Sequence, residues 1–222
     1  MSPTALTELD AGDTAAWIRR AARLIAVRAD ELTALDAAIG DADHGANMKR
    51  GMNAAVEALP DAPEAPAAVL KQTAMALISK VGGAAGPLYG TFFLRMSTAL
   101  AGRQTIDTAA LADAVAAGIG GIVQRGNAET GDKTMLDAWS PALQALRDRS
   151  GEAEGTLARA VAAAADAAAA GRDATEPMLA KKGRASYLGE RSIGHIDPGA
   201  ASTALIMQAL ADVVSGRVTG EA

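Results

Sequence analysis

Residues 161–170 read VAAAADAAAA. Alanine has the highest intrinsic helix propensity, and the single Asp166 gives no reason for the helix to break there. Over the whole chain 50% of the residues are hydrophobic but only 3% are aromatic, whereas β-sheets are enriched in β-branched and aromatic residues. We therefore expect an all-α protein whose helices are thin and closely packed.

The spacing of apolar residues extends this prediction along the chain. Between residues 13 and 35, apolar side chains recur every three or four positions, and Asp13 is a candidate N-cap. No segment repeats at a fixed period of 20 to 50 residues, which argues against a solenoid. We expect one helical domain over residues 1–222, with eight helices at 13–35, 46–59, 67–80, 87–102, 107–125, 132–149, 154–172 and 198–215.

Charge and composition narrow the range of functions. The 21 Lys and Arg residues against 26 Asp and Glu residues leave no broad basic field, so we expect no nucleic-acid partner. The chain has no cysteine, which rules out disulfides and thiolate metal ligands and suits a reducing compartment.

Two further features bear on location. The longest uncharged stretches, 81–94 and 198–211, have 14 residues each, below the roughly 18 that suggest a membrane span. The N-terminal sequence MSPTALTELDAGD has no basic region followed by a long apolar run, so it does not resemble a secretory signal. We expect a cytoplasmic protein without a membrane partner.

The stretch LDAAIGDADHGAN, residues 35–47, places three aspartates within eight residues. Two carboxylates about 5 Å apart repel by roughly 3 kcal/mol at an effective dielectric constant near 20. Water would relieve this repulsion in an exposed turn, and Mg²⁺, which takes oxygen ligands, would relieve it in a metal site. A calcium-binding EF-hand is excluded because Ala46 and Met52 occupy the positions of its glycine and glutamate. Both the acidic turn and the metal site remain open from these residues alone.

Two glycine-rich stretches follow. GGAAGPLYG, residues 82–90, could present free N–H groups and a helix start to a phosphate, or could be a tight turn between packed helices. GNAETGDKT, residues 126–134, departs from a Walker A loop because Asp132 precedes the lysine and no strand precedes the motif. We expect Asp132 to cap a helix with Lys133 and Thr134 in its first turn, and Met135 either in the core or against a bound base.

Residues 174–198 break the helical spacing and carry a cluster of basic residues opposite in sign to the aspartates. Such a stretch predicts a functional loop, and we expect a lid. The only two histidines, His44 and His195, lie in glycine-rich polar contexts, which favours a binding role. No serine or cysteine has the neighbours of a hydrolytic triad.

Four motifs in this order resemble one family, the nucleotide-binding L subunit of dihydroxyacetone kinase. They are IGDADHGANMKRG (39–51), GGAAGPLYGTFF (82–93), GDKTMLDAW (131–139) and GRASYLGERSIGHIDPGAAST (183–203). The resemblance implies an antiparallel eight-helix barrel that holds ADP or ATP at one end with Mg²⁺.

The resemblance also implies roles for individual residues. Asp36, Asp41 and Asp43 would be the metal ligands, and Arg184 would be the catalytic residue that reaches the phosphates. The residues implied to bind the nucleotide are His44, Gly45, Ala46, Asn47, Ala85, Gly86, Gly126, Met135, Arg184, Asp197, Pro198 and Gly199. The family usually has glycine at position 42 and serine at position 85, so Ala42 is harmless only with a negative φ, and Ala85 lacks a hydroxyl for a phosphate.

The function implied is a transferase step in glycerol metabolism. A kinase subunit would pass phosphate to dihydroxyacetone held by a separate K-type subunit, with bound ADP recharged by an M-type phosphocarrier of the phosphoenolpyruvate phosphotransferase system. The alternatives are an ATP-dependent subunit for a related ketose such as a tetrulose, and a non-catalytic nucleotide-binding adaptor. Oligomeric state stays open, a homodimer included.

Overall fold

The computed structural model describes residues 5–150 and 156–216 and is helical, as the composition predicts. Within these residues the only β-structure is one bridge between Leu9 and Ile106. A 3-10 helix, Arg184–Ser192, lies between the last two α-helices. The α-helices are α1 (Ala11–Val27), α2 (Ala29–Ile39), α3 (His44–Glu57), α4 (Pro66–Lys80), α5 (Ala85–Ala99), α6 (Thr108–Gly126), α7 (Leu136–Arg149), α8 (Thr156–Ala174) and α9 (Pro198–Val214).

Eight of these helices form a closed ring. From α3 to α9 each helix packs against the next, α1 packs against α3, and α9 packs back against α1. The short α2 lies outside this sequence of neighbours and packs on α3 and α9. The predicted antiparallel eight-helix barrel is therefore confirmed, with one additional helix at its end.

The first predicted helix, 13–35, is in fact two helices. Its start is Ala11 rather than Asp13, because Asp10 is the N-cap: the Asp13 amide donates to Asp10 Oδ1 at 2.8 Å, and the Asp10 amide donates to Asp13 Oδ2 at 3.1 Å. This reciprocal pair is a capping box. The helix then breaks at Arg28 (φ −101°, ψ 11°), which lets α2 run separately to the acidic loop.

The predicted start of α7 is also wrong. The helix begins at Leu136 and not at Asp132. The turn before α7 is held by Asp137, whose carboxylate accepts the amides of Gly131 and Thr134. Asp132 does not cap the helix, and its carboxylate accepts the amide of Glu129. The start predicted for the next helix, residue 154, lies outside the described residues.

Aromatic side chains join helices that are not neighbours in the ring. Phe92 of α5 stacks on Trp139 of α7 with ring centroids 4.1 Å apart, and Phe93 meets the edge of Trp17 from α1 at 5.9 Å. Around them, buried alanines line α8, and a Cβ atom on Gly171 would lie 2.1 Å from the Asp137 carbonyl oxygen. The alanine-rich sequence therefore gives a thin helix, as predicted, because α7 and α8 approach closely.

Among the described residues, none of the helices has the length and apolar character needed to cross a bilayer.

Candidate metal and nucleotide site

A cavity of about 440 Å³ opens at one end of the ring. Its wall comes from the α2–α3 loop, the turn before α5, the end of α6, the loop before α7, and the segment between α8 and α9. The sequence motifs that are far apart along the chain therefore meet at one place, as the resemblance implies.

The three aspartates converge on this cavity. Each offers a carboxylate oxygen, and these three oxygens lie within 4.8 Å of one another. Asp36 is buried in the last turn of α2, whereas Asp41 and Asp43 are exposed. Because all three donors are oxygens and two remain open to solvent, the set fits a hard cation such as Mg²⁺.

Asp36 also holds the loop in shape. Its Oδ2 accepts the amide of Asp43 at 2.8 Å and the amide of His44 at 3.1 Å, which are free N–H groups at the start of α3. A Cβ atom at position 40 would lie 2.0 Å from Asp36 Oδ1, so the chain needs Gly40 to pass this carboxylate.

Ala42, between the two exposed aspartates, has φ +61°. The condition for a harmless alanine at this position is therefore not met. A left-handed backbone costs an L-residue roughly 1–2 kcal/mol, so the loop is strained at the position where the resemblance implies glycine.

Arg184 brings the predicted loop to the aspartates. Its guanidinium Nη2 lies 2.9 Å from Asp41 Oδ2, and its side chain is 69% exposed. An ion pair this exposed contributes little to stability. The ion pair does show that the basic segment, residues 174–198, lies against the three aspartates.

The glycine-rich turn before α5 has two parts. Gly82, Gly83 and Ala85 line the cavity, and the helix begins at Ala85, so Pro87 is its third residue and not its first. Gly86 does not line the cavity, since a Cβ there would lie 2.3 Å from the Val81 carbonyl oxygen. The turn thus serves both of the purposes left open, a helix start facing the cavity and close helix packing.

Of the four residues at the start of α3, two face the cavity and two do not. His44 and Asn47 line the cavity, while Gly45 and Ala46 do not. Gly45 is buried against α2, where a Cβ would lie 1.9 Å from the Ala29 carbonyl oxygen, and Ala46 is exposed. The His44 ring bonds to Ser202 Oγ at 2.9 Å through Nε2, and burial lowers the pKa of His44 despite the nearby carboxylates.

Part of the cavity wall is apolar. Leu88, Ile122, Ala128 and Met135 contribute to it, and Gly126 at the end of α6 borders it. Apolar walls of this kind suit an aromatic ring. Met135 therefore belongs both to the core and to the cavity wall.

Asp197, Pro198 and Gly199 form the wall where α9 begins. Asp197 Oδ2 accepts the amide of Ala200 at 2.7 Å and caps the helix. Burial, with a smaller contribution from Asp137, raises the pKa of Asp197 to about 7, although Lys133 acts in the opposite direction.

Sequence reasoning missed Lys133. It is not in a helical turn but has φ +63°, and it is almost fully buried. Burial lowers the pKa of its ammonium group, and the residue forms part of the cavity wall. Its partners are backbone carbonyls, among them that of His195, whose own ring does not line the cavity. The motif GDKT contained the residue, but nothing in it indicated a left-handed lysine.

An all-helical ring with a cavity at one end, three carboxylates at its mouth and a glycine-rich helix start beside them defines a helical ligand-binding domain. Residues 38–212 match the DAK2 domain. The chain is also 46% identical over 196 residues to the ADP-binding subunit DhaL of a PEP-dependent dihydroxyacetone kinase from Escherichia coli, covering 88% of this chain and 93% of that one. The chain belongs to the DAK2 domain family, and the predicted resemblance to nucleotide-binding subunits of dihydroxyacetone kinase is confirmed.

Two further similarities extend this result. The dihydroxyacetone kinase of C. freundii in complex with AMP-PNP and Mg²⁺ superposes with a TM-score of 0.67 at 25% identity, over 96% of this chain and 35% of that one. A D-erythrulose kinase of Mycolicibacterium smegmatis is 36% identical over 97% of this chain but only 39% of its own length. These relatives are kinases or kinase subunits. The E. coli subunit is named as ADP-binding, and the C. freundii kinase holds AMP-PNP and Mg²⁺, which are the predicted kinds of cofactor.

Proposed function

We propose that this chain is the nucleotide-binding subunit of a dihydroxyacetone kinase. It would hold ADP or ATP with Mg²⁺ in the cavity and transfer phosphate to dihydroxyacetone bound by a separate K-type subunit. The observation that carries the proposal is the convergence of Asp36, Asp41 and Asp43 at the mouth of the cavity, in a chain that resembles ADP-binding kinase subunits over most of their length.

Each part of the cavity has a role in this proposal. The three aspartates would bind Mg²⁺, which when bound neutralises phosphate charge during phosphoryl transfer. The amides before α5 and at the start of α3 would contact phosphate oxygens. The apolar part of the wall with Met135 and Gly126 would hold the base, and Asp197 to Gly199 would close the site beside Met135. Of the predicted nucleotide contacts, Gly45, Ala46 and Gly86 would act only through the backbone or through packing.

Arg184 would act on the phosphates. In the structure it pairs with Asp41 and is mostly exposed, so it can exchange one anion for another at small cost. When a nucleotide occupies the cavity, its guanidinium would follow the charge that develops on the transferred group. The segment that carries Arg184 would be the lid over the site.

A phosphoenolpyruvate-dependent route is the better supported source of phosphate. Four relatives named as ADP-binding subunits of PEP- or PTS-dependent kinases are 40–46% identical to this chain, against 34–37% for the erythrulose kinases. Bound ADP would then be a cofactor recharged by an M-type phosphocarrier. The erythrulose kinases favour the second candidate, an ATP-dependent subunit for a related ketose.

The decisive experiment compares Asp41→Asn with Asp61→Asn. Asp61 is exposed in the loop at the opposite end of α3, so the same chemical change there is the matched control. After gel filtration with Mg²⁺, the wild type and Asp61→Asn should retain ADP, whereas Asp41→Asn should lose it at least tenfold faster. Equal retention by both variants would contradict the assigned metal site.

A second measurement separates the two donors. The purified chain is combined with a K-type subunit and dihydroxyacetone, and given either ATP or phosphoenolpyruvate with the phosphocarrier proteins. We expect product only in the second mixture. Product with ATP alone would reject the phosphoenolpyruvate route and favour the ATP-dependent candidate.

A further inference from the structure

The ammonium group of Lys133 lies among four backbone carbonyls. Nζ donates to the carbonyl oxygen of Thr175 at 2.8 Å, of Met178 at 3.2 Å and of Glu176 at 3.3 Å, and it also bonds to the carbonyl of His195. An ammonium has three protons, so four acceptors more than satisfy it.

These four carbonyls belong to the two ends of one segment, which we call the clamped segment (residues 175–197). Three of them follow directly after α8, and the fourth precedes α9 by three residues. Two neutral bonds join the same ends: the Gly194 amide donates to the Glu176 carbonyl at 2.8 Å, and the Asp197 amide donates to Thr175 Oγ1 at 2.9 Å. These bonds hold the two ends of the clamped segment together and close it into a loop; we call them the neck. Lys133 supplies the only charged group among them.

The middle of the clamped segment faces the cavity. Gly183, Arg184 and Ala185 line it, and Arg184 reaches Asp41. Its last residue, Asp197, lines the cavity where α9 starts. The position of both ends therefore sets where Arg184 can lie relative to the three aspartates.

Holding Lys133 in this place is costly. Its left-handed backbone costs roughly 1–2 kcal/mol, and its ammonium group has given up water in a position that is 1% exposed. A purely structural connection between the ends could be made by the two neutral bonds alone. The cost is understandable if the site requires a rigid neck.

We propose that Lys133 is a positioning residue, whose bonds to both ends of the clamped segment keep Arg184 and the Asp197 wall in place around the bound nucleotide. This inference rests on the proposed function and deepens it. Lys133 itself would transfer nothing; it would act through the loop.

The test compares Lys133→Met with Lys181→Met. Both changes remove one ammonium group, but the Lys181 side chain is 55% exposed, its Nζ lies 3.5 Å from Asp132 Oδ1, and Lys181 is outside the wall of the nucleotide cavity. Hydrogen exchange of the clamped segment is measured without nucleotide, and the dissociation rate of ADP is measured with Mg²⁺. We expect Lys133→Met alone to exchange faster in this segment and to release ADP at least tenfold faster.

A chemical rescue distinguishes a hydrogen-bonding role from general damage. In Lys133→Ala, propylammonium can enter the vacated space and donate to the carbonyls, whereas tetramethylammonium has the same charge and no proton to donate. Propylammonium should slow ADP release toward the wild-type rate, and tetramethylammonium should not. Equal effects of the two salts would overturn the assignment.

The outcomes also separate this inference from the proposed function. Unchanged exchange in Lys133→Met, or faster exchange with unchanged ADP release, would overturn the positioning role. If the wild type binds no ADP at all, the proposed function fails and the positioning role with it, while exchange still reports on the neck. If both Lys133 variants fail to fold, Thr175→Val, which removes the acceptor of the Asp197 amide, should give the same changes at smaller size, and no change would overturn the inference.

Discussion

Asp197→Asn is the change that most directly tests the electrostatics of the site. The wild-type carboxyl group is buried at the start of α9, and burial raises its pKa from 3.8 to about 7. Asparagine has nearly the same shape and is an equally good N-cap, so it can still accept the amide of Ala200. The variant therefore lacks the titrating carboxyl group but keeps the cap at the start of α9.

The sign of the effect follows from linkage. Between about pH 4 and 7 the folded chain holds a proton on Asp197 that the unfolded chain has already lost, so stability is present at low pH and falls as the pH rises through the folded pKa. Each unit of pKa difference is worth 1.36 kcal/mol, and a difference of about 3 units gives an upper limit of about 4 kcal/mol. From pH 5 to pH 8 the loss should be roughly 2–3 kcal/mol.

The assay is urea unfolding of both proteins at pH 5, 6, 7 and 8. The free energy of unfolding of the wild type minus that of Asp197→Asn should fall by roughly 2–3 kcal/mol across this range. His44, whose pKa is lowered by burial, titrates in both proteins and cancels in the difference. Parallel pH profiles would show that Asp197 is ionised throughout and would refute the reasoning.

Two further predictions concern backbone positions and use thermal or urea unfolding. Ala42→Gly should stabilise the chain by up to about 1 kcal/mol because φ there is +61°, whereas Gly102→Ala, at φ +80° with open space around it, should destabilise it by a similar amount; a loss of stability in Ala42→Gly would contradict the strain. Gly45→Ala should cost about 1–3 kcal/mol because its Cβ would meet the Ala29 carbonyl, while Gly120→Ala in α6, with nothing within 4 Å, should be neutral or slightly stabilising. Equal stabilities of these two alanine variants would contradict the close approach of α2 and α3.

The helices could be predicted because apolar spacing and alanine content act locally. The break at Arg28 could not be predicted, because no glycine or proline marks it and the apolar spacing continues through Ala29 and Leu32. Its cause is tertiary: α2 packs on α3 and α9 rather than continuing in the ring. A periodic pattern predicts that a face is buried but does not say against which neighbours.

The glycine-rich turn before α5 shows the same limit at the site. Its sequence predicted either a phosphate cradle or close packing, and the structure divides the glycines between these tasks. Gly82 and Gly83 face the cavity, while Gly90 packs on α4, where a Cβ would lie 2.3 Å from Ile78 Cγ1. Which glycine does which depends on where α4 lies. Lys133 was missed for a related reason, because its carbonyl partners are 42 to 62 residues further along the chain.

The charges at the mouth of the cavity explain why the proposed function needs a cation. Three carboxylate oxygens within 4.8 Å of one another repel by roughly 3 kcal/mol per pair at an effective dielectric constant near 20. Among the described residues the ion pair of Arg184 with Asp41 is the one found at this cluster, and it is largely exposed, so it offsets only part of that repulsion. A diphosphate entering the cavity would add further negative charge. In the proposed function, Mg²⁺ held by the carboxylates would relieve both repulsions, Arg184 would then be free to leave Asp41 for the phosphate, and this exchange would couple nucleotide binding to the position of the loop.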